Sequence, residues 1–507
     1  MRIDYPSNYT EKIGAVSIHA LQKIYEIDSG MASQFLNNDD YDHTHNLNNK
    51  NLKHNKKQQD RQQQNHYNGD KLYNDNHNLT MSSSSTRAFG YQELSDIFKQ
   101  MAIVIPVKNE KLSVLEGVLS GIPNECLIII VSNSERTSNV DRYSMEVEMV
   151  KQYARFTDKK IMVIHQKDEE LGKIFKKVNY NSILDSKRKF IRNGKAEGMI
   201  IGILLAKMQS KGYVGFIDSD NYFPGAVNEY VKIFATGFAM SKTPYSNVRI
   251  LWRSKPKIVD NKIRFPRWGR ISQTSNKYLN ALISSITGTQ NDIIATGNAG
   301  EHALSMPLAE NLSYSSGYSV EPYEFINILE KYGGLLPPST SPSTSSTSST
   351  STSSSTTDSL SQSHTPQVSL KSLVSLSSTT NTTSSKSTNA EIMKKGVEIF
   401  QIESRDPHLH EEKGDEHLAD MMEDSLIAIN NSKICNIDLT KQLKNHLYTL
   451  QVKQNSNSNS SIINGSSKVK DYYQSKKHKI MDPIKEIPID KFATLLLKSN
   501  IAYQNFI

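Results

Sequence analysis

The stretch "YVGFIDSDNYFPGA", Tyr213 to Ala226, is an apolar run that stops on two aspartates, Asp218 and Asp220, with only Ser219 between them. The apolar part predicts a buried strand, and "PGAVNEYVKIF" after it predicts a helix. Three earlier runs share the character: "MAIVIPV" (101–107), "CLIIIVSN" (126–133) and "KIMVIHQ" (160–166), separated by helical patterns. Short β-branched runs alternating with helices predict an α/β fold, its mainly parallel sheet covered on both faces. In such sheets ligands bind beyond the carboxyl ends of the strands, where the strand order reverses. Polar clusters stand at three of those ends: "KNE" (108–110), "SNSER" (132–136) and the DSD triplet.

The chain has 507 residues, but two tracts are too biased in composition to pack a core. "NNDDYDHTHNLNNKNLKHNKKQQD" from Asn37 and "STSPSTSSTSSTSTSSS" from Ser339 lose every apolar period and predict disordered insertions. A long flexible insertion adds only slowly to the entropy of loop closure, so the sequence after the second tract belongs to the same fold. Much of the lysine behind the formal charge of +8 lies in polar tracts and near the C-terminus, which does not point to a nucleic-acid partner. The two cysteines, Cys126 and Cys435, form no CxxC spacing, against zinc and against a secreted disulfide framework. The N-terminal "MRIDYPSNYTEKIG" has no signal pattern, and apolar runs such as "MIIGILLA" from Met199 fall short of the ~18 residues of a membrane span. A soluble cytoplasmic protein without a membrane partner is expected.

Four stretches carry candidate chemistry. In an extended segment, side chains two apart point the same way, so Asp218 and Asp220 can converge on one hard cation; an Asx-turn capping the next helix would use the same residue types. In "RNGKAEGMIIGILLAKM" (192–208), Gly194 and Lys195 precede a helix whose free N–H groups suit phosphate, although a solvated cap looks the same. The spacing is not that of a Walker A loop. In "RDPHLHEEKGDEH" (405–417), His408 and His410 share one side, either to complete a metal site begun by the DSD or as a surface turn. "FPRWGRIS" (265–272) and "TGNAGEHALSM" (296–306) set glycines beside Arg270, Thr296, Asn298 and His302, a mixture suited to an anionic, hydroxylated ligand. His302 is equally a pocket side chain or a satisfied interior histidine. Together these describe a pocket for a diphosphate-linked donor with a metal, and for an acidic acceptor.

The blocks "IVIPVKNEKL", "IIIVSNSER", "GFIDSDNYFPGAVNEYVK", "WGRIS", "TGNAGEHALSM", "SSGYSVEPYEF" and "GVEIFQIESRDPHLHEEKG", in this order, closely resemble the mannosyl-3-phosphoglycerate synthases. The likeness runs from "GAVSIHALQKIYEID" to "PIKEIPI" and skips only the two biased tracts. It implies a GT-A type nucleotide-sugar-binding fold and transfer of mannose, with retention, from GDP-mannose to 3-phosphoglycerate. It also implies a divalent cation, Mg2+ or else Mn2+ or Co2+. The product would be the phosphorylated precursor of mannosylglycerate, a compatible solute.

Carried over by motif, Pro106, Val107, Lys108, Asn109, Glu110, Ser132 and Asn133 would cradle the guanosine. Lys195 would approach the diphosphate, although Ala196 stands where a second glycine is expected. Asp218 and Asp220 would mark the metal site, with Asp220 and His408 as ligands and Asp218 and His410 as the alternatives. Gly269, Arg270 and Ser272, with Thr296 and Asn298, would hold the acceptor. Glu321 would bind sugar hydroxyls, and Glu301 is a further pocket candidate. Asp218, Asp220, Lys195 and Arg270 would carry catalysis.

The expected division is an N-terminal strand and helix (1–36), an insertion (37–90), a nucleotide-sugar-binding half (91–225), an acceptor-binding half (226–335), a second insertion (336–390) and a C-terminal part of the catalytic domain (391–507). A glucosyl-3-phosphoglycerate synthase is the nearest rival, and an inactive scaffold using the biased tracts is the rival of another class. Oligomeric state, a homodimer included, is left open by these residues.

Overall fold

Every residue of strand Met101–Val107 except Pro106 is buried, because successive side chains enter two different cores. Met101, Ile103 and Ile105 face one, and Ala102 and Val104 the other. A strand covered on both faces has no polar side to show, hence the unbroken apolar run. The computed structural model describes residues 1–4, 9–27, 86–137, 139–185, 190–259, 262–265, 270–335, 384–411, 414–457, 478–499, 501 and 503–506.

Leu127–Ser132 pairs in parallel on one side of Met101–Val107, and Ile161–His165 pairs in parallel beyond it. The chain then returns to the other side as Tyr213–Phe216, again parallel to Met101–Val107. That reversal opens a crevice past the ends of Met101–Val107 and Tyr213–Phe216. Further out, His302–Ser305 runs antiparallel between Tyr213–Phe216 and Ser246–Leu251, and Val397–Glu403 pairs in parallel with Ser246–Leu251. The expected α/β architecture with a mainly parallel core is thus present, within one sheet of 13 described strands. Helix Lys195–Met208 covers one face; helices Leu112–Gly121 and Pro224–Met240 cover the other.

Val397–Glu403 also pairs in parallel with Val16–His19 and Gln22–Glu26. The sequence after the second tract therefore does share the sheet. The same pairing corrects the reading of "AVSIHALQKIYEI", expected to hold a helix: it forms two strands. Burial of Val16 and Ile18, and of Gln22 and Ile24, follows a period of two, and long-range pairing overrides local propensity. Ordered structure also enters the flanks of the expected insertions, as strand Thr86–Ala88, which pairs with Arg2–Asp4, and helix Ser384–Lys395. The bodies of both insertions lie outside the described residues. Among the described residues no helix is long and apolar enough to cross a membrane.

Candidate active site

The turn before helix Lys195–Met208 is built to aim one ammonium. Gln166 Nε2 donates to the carbonyls of Arg192 (2.8 Å) and Gly194 (3.1 Å), and Arg192 Nε donates to Glu197 Oε1 at 3.0 Å. A Cβ at Gly194 would lie 2.1 Å from Glu197 Oε2 and 3.0 Å from Gly317 N, so a larger residue there would have to displace the Glu197 carboxylate. Lys195 then reaches Asp218 Oδ1 at 2.6 Å and Glu321 Oε1 at 2.8 Å. Burial works against its charge, but Asp218 and Glu321 outweigh it and hold the ammonium well above the usual lysine range. Lys195 is a fixed cation at a helix N-terminus, where anionic groups are favoured.

The DSD triplet does not behave as one extended stretch. The strand ends at Phe216, and Ser219 and Asp220 lie in a turn, yet the charges of Asp218 and Asp220 both act on His408, Glu301 and Lys255. Asp218 meets Lys195. Asp220 lines a cleft of about 350 Å3 with Glu110, Lys111, Tyr222, Glu411 and His417. Asn221 Oδ1 accepts from Phe223 N at 2.9 Å in an Asx-type turn just before helix Pro224–Met240.

His408 is buried and stacks on Trp252, ring centroids 4.6 Å apart. Its Nδ1 faces the Tyr230 hydroxyl at 3.3 Å and Glu301 Oε1 at 3.6 Å. Burial and the nearby Lys255 push the imidazole well below its usual pKa against the pull of Asp220 and Asp218, which favours the neutral form that ligates metals. His410, whose ring centroid is 5.3 Å from that of His408, turns its Nδ1 to the Glu411 carbonyl at 2.5 Å. Glu301 is wholly buried, and its carboxyl is raised well above the usual range by burial and then by Asp218. Lys255, over the Trp252 ring at 4.0 Å, feels the charges of Glu301, Asp220 and Asp218. Sequence reasoning passed over Lys255 and Trp252, which no motif marks.

Asp218, Asp220 and Glu321 gather about Lys195 and Lys255, with the buried Glu301 beside them, and the aspartate oxygens suit a divalent cation. Among the described residues no three His, Cys, Asp or Glu side chains form a ready-made metal cage. The carboxylate and imidazole donors fit a divalent cation that takes one or two protein groups and completes its shell with substrate phosphate and water.

His302 proves to be an interior histidine. Its Nδ1 donates to the carbonyls of Ala299 (3.1 Å) and Gly300 (3.2 Å), and its Nε2 lies 3.1 Å from Glu324 Oε2. Ser132 is wholly buried and donates to Glu146 Oε2 at 2.6 Å, the carboxylate that also accepts from Ser134 at the cleft beside it. Val107 points into the core, so only its backbone serves the strand end, its carbonyl accepting from Asn133 N at 2.8 Å. Asn109 takes a left-handed φ of 59°, accepts from Glu135 N at 2.9 Å through Oδ1 and so ties the two strand-end loops together. Pro106 and Glu110 are half-buried there and Lys108 is exposed. A cleft of about 470 Å3, lined by Asn133, Ser134, Arg136, His165 and Lys167, opens beside them.

On the other side, the Thr296 hydroxyl donates to Gln401 Oε1 at 2.8 Å, which makes Thr296 a support for its loop. Asn298 is nearly buried, and its Oδ1 accepts no hydrogen bond. Gly269 lies outside the described residues. Arg270 begins helix Arg270–Thr287, although its side chain lies outside them too, and Ser272 is half-buried in the first turn. A Cβ at Gly300 would sit 2.5 Å from Asp218 Oδ2. Gly300→Ala is therefore expected to force Asp218 off Lys195 and lower turnover about a hundredfold, as a misplacement near 1 Å can do. Steady-state kinetics check this, and turnover close to wild type would show that the contact is inessential.

Residues 6–496 match the family model described as mannosyl-3-phosphoglycerate synthase. The chain is 40% identical over 405 residues to the mannosyl-3-phosphoglycerate synthase of Pyrococcus furiosus, covering 79% of this chain and 85% of that protein. With the same enzyme from Aeropyrum pernix it shares 30% identity over 359 residues, 71% of this chain and 79% of the relative. Among solved structures, glucosyl-3-phosphoglycerate synthase from Mycobacterium tuberculosis in complex with phosphoglyceric acid matches at 13% identity and a TM-score of 0.38, over 68% of this chain and 85% of that chain. Mannosyl-3-phosphoglycerate synthase from Rubrobacter xylanophilus matches at 12% identity and a TM-score of 0.35, over 66% of this chain and 76% of that chain. On the family match and the two sequence relatives, the chain belongs to the mannosyl-3-phosphoglycerate synthase family of glycosyltransferases.

Proposed function

We propose that this chain transfers mannose from GDP-mannose to 3-phosphoglycerate with retention of configuration, forming the phosphorylated precursor of mannosylglycerate. The observation that carries the reading is the Lys195 ammonium held between Asp218 and Glu321 at a helix N-terminus, beside Asp220 and His408. Asp220 and His408 would hold a divalent cation, Mg2+ by preference. Bound there, it supplies Lewis-acid stabilisation of the departing diphosphate.

The protein's own groups do the rest. Lys195 faces the diphosphate and offsets the charge that builds on it as the anomeric C–O bond breaks. Glu321, fixed through Lys195, accepts hydrogen bonds from sugar hydroxyls, and Asn298 offers an amide on the same side of the crevice. The strand ends at Pro106–Glu110 and Asn133 carry the guanosine, and Asn109 fixes the spacing of the two loops. Asp218 and Glu321 are both engaged by Lys195, which favours a front-face path in which acceptor and leaving group share one side of the sugar over a carboxylate nucleophile.

The acceptor is held by Gly269, Arg270 and Ser272. Arg270→Ala is expected to raise KM for 3-phosphoglycerate by about tenfold or more, as loss of a charge-assisted contact would, with a smaller change in kcat. An unchanged acceptor dependence would take Arg270 out of that role. The reading as a whole is tested by incubating the enzyme with 3-phosphoglycerate and either GDP-mannose or UDP-glucose, each with and without chelator. Mannose transfer that needs the cation is the expected result; transfer from UDP-glucose alone would overturn the donor assignment.

A further inference from the structure

Arg249 lies within strand Ser246–Leu251 and has no exposure to solvent. Burying a guanidinium is costly, and burial lowers its hold on its proton. A hydrophobic side chain of similar volume would serve the core at least as well. What the arginine adds is reach. Its Nε donates to the Thr296 carbonyl at 3.0 Å, while Nη2 donates to the Glu321 carbonyl at 3.0 Å and the Gly297 carbonyl at 3.4 Å. Its charge is met by Glu324 Oε2 at 3.5 Å, the carboxylate that also faces His302.

The fork therefore joins the loop after Thr296 to the start of helix Val320–Tyr332. Those two segments bring Gly300 against Asp218 and Glu321 onto Lys195. The loop is also held by His302 through the carbonyls of Ala299 and Gly300, by Gln401 at the N–H groups of Ala295 and Thr296, and by Asn276 at Gly297 N; what Arg249 adds is the tie from this loop to the start of helix Val320–Tyr332.

Resting on the transferase reading above, we propose that Arg249 is a positioning residue for sugar transfer. It sets the spacing of Asp218 and Glu321 about Lys195 and touches neither substrate. A lysine at this position keeps the charge but has no planar fork to span the two carbonyls.

The test is a double-mutant cycle of Arg249→Lys with Lys195→Ala, read by kcat, both KM values, far-UV circular dichroism and a crystal structure of Arg249→Lys. The single Arg249→Lys variant should keep the wild-type spectrum and both KM values near wild type, and lose about a hundredfold in kcat. Adding Lys195→Ala should then cost far less than it does in the wild type, because both changes disable one unit. In the crystal, the Lys195 to Glu321 contact should open well beyond the present 2.8 Å. Losses that multiply, a kcat near wild type, or an unchanged Lys195 environment would each overturn the proposal. Should Arg249→Lys fail to fold, Glu324→Gln keeps the shape and removes the balancing charge. It should lower kcat with the same lack of additivity, and wild-type kcat in it would also count against Arg249. Wild-type enzyme assayed in parallel separates the two claims: no sugar transfer there refutes the function, whereas the crystal structure judges the Arg249 geometry alone.

Discussion

Asp220→Ala is expected to lower mannose transfer by about a thousandfold, the upper end of what removal of one group that stabilises developing charge costs. Asp220 sits at the bend after strand Tyr213–Phe216, in the cleft it shares with Glu110, Tyr222 and Glu411. It lies close enough to His408, Glu301 and Lys255 for its charge to act on all three. The bond from Phe223 N to Asn221 Oδ1 in the turn before the next helix does not use the Asp220 carboxylate. The fold should survive, with circular dichroism and Tm close to wild type. Raising magnesium should not restore turnover, because the protein would have lost its carboxylate ligand. Wild-type turnover at saturating magnesium would refute the metal role of Asp220.

Lys195→Ala is the second large effect. It removes the positive charge that the proposed function directs at the leaving diphosphate, and it leaves Asp218 and the buried Glu321 with no ammonium between them. The first loss should lower kcat by about a hundredfold. The second should destabilise the fold by about 3 kcal/mol, since breaking a buried pair by removing one partner strands a charge. The two are separable by experiment. Adding Glu321→Gln to Lys195→Ala should recover part of the lost Tm without recovering turnover. A double variant as unstable as the single one would show that Glu321 is not the stranded partner.

The parallel core was legible because its strands are buried on both faces, which writes them as unbroken apolar runs with polar residues where each leaves the sheet. The N-terminal strands were not, since "AVSIHALQKIYEI" is decided by pairing with Val397–Glu403, far away in sequence. The position of the acidic site could be read from the DSD triplet, but its wiring could not. Lys195 and Glu321 are 126 residues apart, and only the fold shows that Asp218 joins them and that Asp220 lines the cleft with Glu110 and Glu411. Ser132 stands at a strand end as a donor contact would, and its bond to Glu146, which lies 14 residues on, is likewise unmarked by any local pattern. Arg249 reads as an ordinary strand arginine in "SNVRIL", and its complete burial depends on Glu324 and on carbonyls from two other segments. Local pattern reports exposure and period; it does not report which distant carboxylate a buried cation will meet.

The most direct test of the central claim is an anomalous-difference map from crystals grown with Mn2+ and GDP. We expect a single strong peak within coordination distance of Asp220, His408 and the diphosphate, with Lys195 on the opposite side of the phosphates. A diphosphate bound with no peak bridging Asp220 and His408, or a peak held by other residues, would contradict it.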